Sequence, residues 1–327
     1  MRVSYDHESV RLTGRWDTTN KAFAETTTTG AYVEFAFEGR MAMAMFDVSG
    51  NNTPYLHLWV EVDGGARVEV PIDSYLRVVA PTDGKHVCRI IYKGGAEVYR
   101  RWYRPLQSKV SFRGFEAERP IAIGKDERKT IEFVGDSITE GVLIDVDYYG
   151  DGEPCCPVDQ HNRVFQDDAC ATYAWLTAEA LDLRPIFMGY GAVGVTKPGH
   201  KVPPAPESYP YNFDGSPISR PEPDVILINH GANDRPKSAE EYVRRYGELL
   251  DVIRKLNPNA KLVSLSAFCG GHHEALGKFI AEYNEKNGTD VFFIDSTGWI
   301  SPEPLHPLRD GHIEVAKRLA PILREII

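Results

Sequence analysis

The spacing of the hydrophobic residues changes near residue 120, and this change limits the folds that the chain can adopt. Before that point, apolar and polar residues alternate with a period of two, and Gly, Asn-Asn and Asp-Gly turns separate the segments. The clearest segments are Ala31–Gly39, Met41–Gly50, Tyr55–Gly65 and His86–Gly95. Short strands at this spacing, without a helical stretch, predict a β-sandwich or jelly roll over residues 1–120.

From about residue 128, apolar runs alternate with amphipathic helical stretches. Runs such as IEFVG and DVILINHG are each followed by a helical pattern. This alternation predicts a parallel sheet with helices on both faces, a three-layer α/β/α arrangement. We therefore expect an α/β protein of two domains, residues 1–120 and 128–327, with the boundary in the segment 118–129. In parallel sheets of this kind, the chemistry gathers outside the carboxyl ends of the strands.

Composition and charge argue against several classes of protein. The 327 residues are 42% hydrophobic and 26% charged, which is typical of a globular protein with a sizeable core. The net charge is −10, so we expect no nucleic-acid partner. The densest basic stretch, YRRWYR at Tyr99–Arg104, is interpreted as a strand with one solvated face. No apolar run approaches the roughly 18 residues that span a bilayer, so we expect no membrane association.

The five cysteines favour a reducing compartment, because their number is odd and their spacing irregular. Cys155 and Cys156 lie in a polar loop near Asp159 and His161, where we expect free thiols, with metal or redox chemistry as the alternative. The amino-terminal segment has no apolar signal-peptide core. We therefore expect a cytoplasmic protein, although a secreted parent with its signal removed is an alternative.

A serine follows the first strand of the second half directly, in the stretch Gly135-Asp136-Ser137. The start of a helix offers free N–H groups and a dipole that favour developing negative charge. Ser137 is therefore a candidate nucleophile. The alternative is a serine that caps the helix, since Ser and Asp are common caps.

Three further motifs follow predicted strands or precede the last helix: GYGAVGVT (Gly189–Thr196), HGANDR (His230–Arg235) and EPLHPLRDGH (Glu303–His312). Glycines let a backbone N–H approach a ligand closely, and the Asn233 amide can donate to an oxyanion. His306 precedes a proline, which holds the chain extended at that point. Each motif alone also fits a structural interpretation, as a turn, a helix cap or a surface loop.

Taken in order, these four motifs resemble the SGNH (GDSL-type) hydrolases over residues 128–327. The resemblance implies that Ser137 is the nucleophile and His306 the general base, since a serine hydroxyl needs an adjacent base to react. It also implies an oxyanion hole made by the backbone N–H groups of Ser137 and Gly194 and by the Asn233 side chain. Loss of one such donor typically raises the barrier by about 2.7–4 kcal/mol. No metal or organic cofactor is implied.

One position departs from the family pattern. The family usually has an aspartate three residues before the histidine, where it orients the imidazole. Here Glu303 occupies that place, between Pro302 and Pro304. We predict that Glu303 orients His306, with Asp310 or a backbone carbonyl as alternatives, and some relatives work with a Ser-His dyad.

The β-rich first half narrows the resemblance to the two-domain carbohydrate esterases of family 2, which also have an aromatic segment near the position of Trp102. Those enzymes remove acetyl groups from sugar hydroxyls. The resemblance therefore implies a serine esterase acting on acetylated mono-, oligo- or polysaccharides through an acyl-enzyme. The alternatives are a lipase or thioesterase acting on another acyl ester, and a glycan-binding protein with a vestigial hydrolase domain.

Several residues near these motifs have two interpretations. The insertion Leu143–Asp168 either lines the site or forms a solvated loop, and Trp299 either walls the pocket or packs in the core. His272 and its neighbour His273 are expected at a helix start. His312 is expected in the final helix, where its closeness to His306 makes it the competing candidate base.

Overall fold

The computed structural model describes residues 1–145 and 163–327, which contain two main sheets of different kinds. One is antiparallel and is formed by the first 120 residues, and the other is parallel and is formed by strands between residues 130 and 294. The predictions for Cys155, Cys156 and His161, and for most of the insertion Leu143–Asp168, lie outside the described residues. Three cysteines among the described residues are free thiols, namely Cys88, Cys170 and Cys269.

The antiparallel sheet has nine strands in the described residues: β1 (Arg2–Ser4), β2 (Val10–Thr13), β3 (Ala24–Thr26), β4 (Tyr32–Phe46), β5 (His57–Val62), β6 (Val68–Pro71), β7 (Tyr75–Val79), β8 (Lys85–Gly94) and β9 (Val110–Pro120). Its main path runs β1-β9-β4-β8-β5-β6, with β2 and β7 beside β4 and β3 beside β9. The prediction of a β-rich first half is confirmed, and its strands form an antiparallel sheet.

Strand β4 is one continuous element of 15 residues, whereas the sequence pattern indicated two separate strands. Its first part, Tyr32–Glu38, pairs with β8, and its last part, Met41–Met45, pairs with β7. Between them, the pairing with β9 shifts register and Gly39 adopts a φ of 110°. A glycine can adopt this backbone conformation without strain, so the chain changes partners without leaving the sheet.

The second half contains a parallel sheet of β10 (Thr130–Gly135), β11 (Arg184–Gly189), β14 (Val225–Asn229), β15 (Lys261–Leu265) and β16 (Phe292–Ile294), with a short pair β12 (Tyr211–Phe213) and β13 (Ser216–Pro217) outside it. The helices are α1 (Ser137–Glu140), α2 (Arg163–Gln166), α3 (Tyr173–Ala180), α4 (Ala205–Ser208), α5 (Ala239–Leu256), α6 (His273–Asn287) and α7 (Arg309–Ile326), and a 3₁₀ helix covers Ala169–Ala171. The predicted α/β second half is confirmed. No helix in the described ranges is both long and apolar enough to cross a bilayer.

The strand order in this sheet is β11-β10-β14-β15-β16. Strand β10 therefore lies between β11 and β14, which are the next two strands of the sheet along the chain. The chain passes from β10 to β11 on one side and later returns to β14 on the other. This reversal is a topological switch point, where α/β sheets open a crevice at the carboxyl ends of their strands. The carboxyl end of β10 is Gly135, directly before the predicted nucleophile.

Helices cover both faces of this sheet, as the alternation of residues along β10 requires. Val134 packs in a core with residues of α5 and α6, such as Leu249 and Ile280. Phe133 packs in a separate core with residues of α3 and α7, and Tyr32 and Ile91 of the antiparallel sheet join that second core. The two halves of the chain therefore share buried apolar surface. The domain limits themselves stay a prediction.

The buried carboxylate of Glu132, on β10, joins the two halves through charge. Its oxygens lie 2.9 Å from Arg15 Nε and 2.5 Å from Arg220 Nη2, and Tyr209 donates its hydroxyl at 2.7 Å. Burial opposes the ionisation of Glu132, but the charges of Arg15 and then Arg220 outweigh it and lower its pKa to about 2. Arg15 also donates to the Tyr209 carbonyl at 2.7 Å. Strand β10 is thus fixed to the amino-terminal half by a paired buried charge.

The interpretation of Tyr99–Arg104 as a solvated strand is wrong, since this stretch forms no strand. Arg101 and Trp102 are buried. The Trp102 ring packs edge-on against Tyr190, with the ring centroids 5.8 Å apart. Packing against the second half, which a local pattern does not record, buries these side chains.

Substitution of Arg15 by Ala is expected to lower the free energy of unfolding by about 3–5 kcal/mol, because it leaves a buried carboxylate short of a partner. Urea denaturation at pH 7 measures the effect. The control is Arg119→Ala, which removes an exposed partner of Glu38 and should change stability by less than about 1 kcal/mol. Equal effects of the two substitutions would contradict the assignment of Arg15 as a buried partner of Glu132.

The stability difference between the natural chain and Arg15→Ala also depends on pH. The folded pKa of Glu132 lies below its ordinary value of 4.5, so its stabilising contribution is complete above pH 4.5 and is lost as the pH falls toward 2. The stability difference between the natural chain and Arg15→Ala should therefore persist down to pH 4.5 and shrink below it.

Candidate active site

Ser137 and His306 are brought into hydrogen-bonding contact, 2.9 Å between Oγ and Nε2. Ser137 is the first residue of α1 and is 6% exposed, and His306 is half-buried in the loop before α7. The residue that caps α1 is Asp136, whose Oδ1 accepts the Ile138 N–H at 2.9 Å. The interpretation of Ser137 as a cap is therefore wrong, and its hydroxyl is positioned to pass a proton to the imidazole.

Close contacts around α1 explain the glycines on either side of Ser137. A Cβ on Gly135 would lie 2.1 Å from Thr139 Oγ1, and one on Gly141 would lie 2.6 Å from the Asp168 carbonyl. Gly141 also ends α1 with a φ of 94°. The sequence Gly-Asp-Ser followed by a second glycine is thus required by a tight turn between β10 and its neighbours.

Asn233 connects the nucleophile turn with the glycine-rich loop. Its Nδ2 donates to Asp136 Oδ2 and to the Val193 carbonyl, both at 3.1 Å. The cap of α5 is Ser238, so the interpretation of Asn233 as a helix cap is wrong. Three of the four sequence motifs therefore meet at this one amide.

Gly194 lies in the same loop, but its backbone N–H donates to the Lys197 carbonyl at 3.1 Å. A Cβ on Gly194 would lie 2.5 Å from Asp234 Oδ1, so the close approach of that carboxylate requires glycine here. The Asp234 carboxylate accepts the N–H groups of Val195 at 3.2 Å and Thr196 at 2.9 Å, and the Thr196 hydroxyl at 2.5 Å. Asp234 thus holds the loop that carries Gly194.

Of the three donors predicted for the oxyanion hole, two bond to internal acceptors. These are Asn233, with both amide hydrogens engaged, and Gly194. The Ser137 N–H has no such acceptor among the described residues. An oxyanion that entered this site would compete for Asn233 and Gly194 with the acceptors they now hold.

Asp136 is fully enclosed beside the nucleophile. Burial raises its pKa to about 7, and the nearby Asp234 carboxylate adds to the rise, while hydrogen bonds from Ile138 and Asn233 oppose it. The charged and neutral forms of Asp136 are therefore both present near neutral pH.

Glu303 and Asp310, the carboxylates predicted to orient His306, are not brought to it. Glu303 is exposed, and no hydrogen bond or ion pair joins it to His306 within the part of the chain that the structure describes. Its backbone carbonyl and N–H instead bond to the Ser301 hydroxyl, at 2.6 and 3.2 Å. Asp310 is also exposed and accepts the Gly311 N–H at 2.8 Å. The predicted role of Glu303 has no support from this geometry.

His312 lies in α7, as predicted, and its side chain is buried. Its Nδ1 accepts the Tyr173 N–H at 3.0 Å, and the two rings stack with their centroids 6.1 Å apart. Burial and then the charges of His306 and Arg309 lower the pKa of His312 to about 3. It is a neutral acceptor in the core and does not compete as the base. Two other residues near the motifs also have defined places. His273 begins α6, and Trp299 packs partly against the core that contains residues of α3 and α7.

The amino-terminal half reaches the nucleophile helix directly, a contact that no local sequence pattern predicts. Arg101 forms a buried ion pair with Glu140, the last residue of α1, at 2.5 Å. The Thr29 hydroxyl donates to the Glu140 carbonyl at 2.8 Å. Thr27 bonds to the Tyr190 hydroxyl at 2.7 Å, at the start of the glycine-rich loop. Glu140 was the available signal for this contact. It is a charged residue among the buried residues of α1, and a buried charge needs a partner.

Arg309 ties the histidine loop to both ends of the insertion. It binds Asp145 with two hydrogen bonds of 2.9 and 2.6 Å, and it lies 3.4 Å from Asp168. The Trp59 indole of the antiparallel sheet donates to Asp168 at 3.0 Å. These contacts fix the helix that follows His306 against both halves of the chain. Among the described residues, no group of three or more His, Cys, Asp or Glu side chains has the arrangement of a metal site.

Residues 133–319 match the model of the GDSL-like Lipase/Acylhydrolase family. Because this match covers more than half of the chain, the protein belongs to that family.

Two characterised relatives extend over both halves of the chain. It is 25% identical over 346 residues to the cellulase/esterase CelE of Acetivibrio thermocellus, covering 96% of this chain and 39% of that protein. It is 24% identical over 312 residues to the acetylxylan esterase / glucomannan deacetylase of Cellvibrio japonicus, covering 88% of this chain and 80% of that protein. The chain thus spans about two fifths of the length of CelE.

The fold is similar to that of a family two carbohydrate esterase from Cellvibrio japonicus, with a TM-score of 0.80 and 21% sequence identity. The likeness covers 100% of this chain and 97% of that one. The combination of an antiparallel first half and a parallel α/β second half is therefore shared by both proteins.

Substitution of Glu303 by Gln is expected to leave kcat/KM for an aryl acetate within about threefold of the natural chain, because the carboxylate is exposed and makes no hydrogen bond or ion pair with His306 in the described part of the chain. The control is His306→Gln, which removes the predicted base and should lower the rate by about 10²–10⁴-fold. A loss in Glu303→Gln comparable to that in His306→Gln would restore Glu303 as the orienting acid.

Proposed function

We propose that this protein is a serine esterase that removes acetyl groups from carbohydrate hydroxyls. The observation that carries the proposal is the 2.9 Å hydrogen bond between Ser137 Oγ and His306 Nε2. It lies at the carboxyl end of β10, at the switch point of the sheet, where such folds bind their ligands. Membership of the acylhydrolase family supports the same chemistry.

The reaction proceeds in two steps. Ser137 Oγ attacks the acetyl carbonyl carbon while its proton passes to His306 Nε2. The tetrahedral intermediate collapses, the bond to the sugar oxygen breaks, and His306 returns the proton to that oxygen as the alcohol leaves. A water molecule then attacks the acetyl-enzyme while His306 takes its proton. The second tetrahedral intermediate collapses, the bond to Ser137 Oγ breaks, His306 returns the proton to that oxygen, and acetate is released.

Stabilisation of the oxyanion is assigned to the N–H groups of Ser137 and Gly194 and the amide of Asn233. The Ser137 N–H comes from the start of α1 and is available directly. Asn233 and Gly194 must exchange one internal acceptor each, the Val193 or Asp136 oxygen and the Lys197 carbonyl. Donors held in place before the reaction lower the barrier most, so these exchanges should involve only small movements.

The substrate class is proposed from the relatives. The Cellvibrio japonicus relative is an acetylxylan esterase and glucomannan deacetylase, and the likeness to it includes the amino-terminal half. An acetylated oligo- or polysaccharide is therefore the substrate that we favour over a lipid or thioester. A cytoplasmic location stays a prediction from the sequence.

Substitution of Ser137 by Ala is expected to abolish acetate release from an acetylated xylo-oligosaccharide and from an aryl acetate, while the thermal midpoint stays within a few degrees. Ser219→Ala, an exposed serine that bonds to the Trp16 carbonyl, serves as the matched control and should retain full activity. Acetate release is measured with an enzyme-coupled assay.

The same assay separates the candidate substrates. Acetyl esters of sugars should be cleaved with a kcat/KM at least about tenfold above that of octanoyl esters, because one missing or extra methylene in a pocket changes discrimination by roughly 10–200-fold. Turnover retained by Ser137→Ala would contradict the mechanism. A preference for octanoyl esters would leave the mechanism intact and favour the lipase alternative.

A further inference from the structure

The carboxyl group of Asp136 occupies an unusual place between the nucleophile and the oxyanion donors. It is 1% exposed and adjoins Ser137 in the chain. One oxygen accepts the Ile138 N–H at 2.9 Å, which caps α1, and the other accepts the Asn233 amide at 3.1 Å. Within the described ranges no Lys or Arg forms an ion pair with it.

Capping alone needs only one of these two oxygens. The second oxygen is bonded to Asn233, whose other amide hydrogen is bonded to the Val193 carbonyl. Asn233 is therefore held between the nucleophile turn and the glycine-rich loop by two acceptors.

A charged Asp136 would oppose catalysis for two reasons. The oxyanion forms at the Ser137 N–H and the Asn233 amide, so a carboxylate that bonds to the same amide repels it. In addition, a hydrogen bond to a charged acceptor is roughly twice as strong as one between neutral groups. A carboxylate would thus retain the Asn233 amide, whereas a neutral carboxyl would release it to the oxyanion more readily.

We propose that Asp136 is a positioning residue of the oxyanion hole, which orients the Asn233 amide and supports turnover in its neutral form. This inference rests on the proposed function, since it assumes that an oxyanion develops at Ser137. It assigns to the aspartate of Gly-Asp-Ser a role in the reaction that its cap bond alone would not give it.

The surroundings of Asp136 are suited to keeping it neutral over part of the working range. The buried carboxylate of Asp234 lies near it on the turn after β14, with His230 beside that carboxylate. Tyr173 of α3 and Tyr242 of α5 also interact with Asp136, and burial raises the pKa of both phenols, so they stay uncharged. With its pKa raised to about 7, Asp136 ionises across the neutral range.

The test is the pH dependence of kcat for aryl acetate hydrolysis from pH 5 to 9. In the natural chain, kcat should rise as the general base loses its proton and then fall as Asp136 ionises. Asp136→Asn keeps the size and removes the charge, so its kcat should rise and then stay level. Asp136→Ala should lower kcat about tenfold to a hundredfold, with KM changed less than about threefold. This loss in kcat is smaller than the 10²–10³-fold loss expected when an oxyanion donor itself is removed.

A double substitution tests whether Asp136 acts through Asn233. Asn233→Ala alone should lower kcat, and adding Asp136→Ala should lower it little further, because the two side chains work as one unit. The matched control is Asp224→Asn, which removes a carboxylate bonded to the Thr130 N–H at the other end of β10. That variant should alter stability without changing the shape of the pH profile.

Parallel pH profiles for the natural chain and Asp136→Asn, or full additivity of the two alanine substitutions, would overturn the inference. Asp136→Asn decides the matter if Asp136→Ala does not fold. Ser137→Ala is assayed beside these variants. If Ser137→Ala keeps its turnover, the proposed function fails, whereas an inactive Ser137→Ala with unaltered Asp136 variants removes only the role of Asp136.

Discussion

The ion pairs of Glu132 are the contacts on which the position of the nucleophile depends. A carboxylate in the middle of a buried parallel strand is tolerated only when it is paired and hydrogen-bonded. Here one partner, Arg15, comes from the antiparallel half, and the other, Arg220, from the parallel half. Glu132 lies five residues before Ser137. Its ion pairs therefore fix the position of β10 relative to the amino-terminal half, and with it the position of the Ser137 hydroxyl. The amino-terminal half is thus part of the machinery that places the nucleophile.

A second set of buried carboxyl groups organises the reacting end of the same strand. Glu140 fixes the far end of α1 to Arg101, Asp136 joins the near end to Asn233, and Asp234 holds the loop of Gly194. Asp136 and Asp234 lie in turns that follow parallel strands, and Glu140 ends the short helix after β10, so the sheet brings all three to one edge. The site is therefore a network in which backbone turns are held by charge and by hydrogen bonds, with Ser137 at its centre.

The sequence predicted the parts of this structure that have a local pattern. Alternation with a period of two and strand–helix alternation identified the two halves, and the order of motifs identified Ser137 and His306. The partners of Glu132 were not predictable, because Arg15 lies 117 residues away and only the packing of the two halves brings it near. Glu303 makes no contact with His306 among the described residues, because position along the chain does not fix where an exposed side chain lies, and its role stays a prediction.

The most direct measurement is covalent labelling with an organophosphorus fluoridate, followed by intact-mass and peptide-mass analysis. A serine activated by histidine attacks the phosphorus, fluoride leaves, and one adduct stays on the oxygen. The expected result is a single adduct per chain on the peptide that contains Ser137, with none formed on His306→Gln over the same time. Absence of an adduct, or an adduct on another residue, would contradict the assignment of Ser137 as the nucleophile.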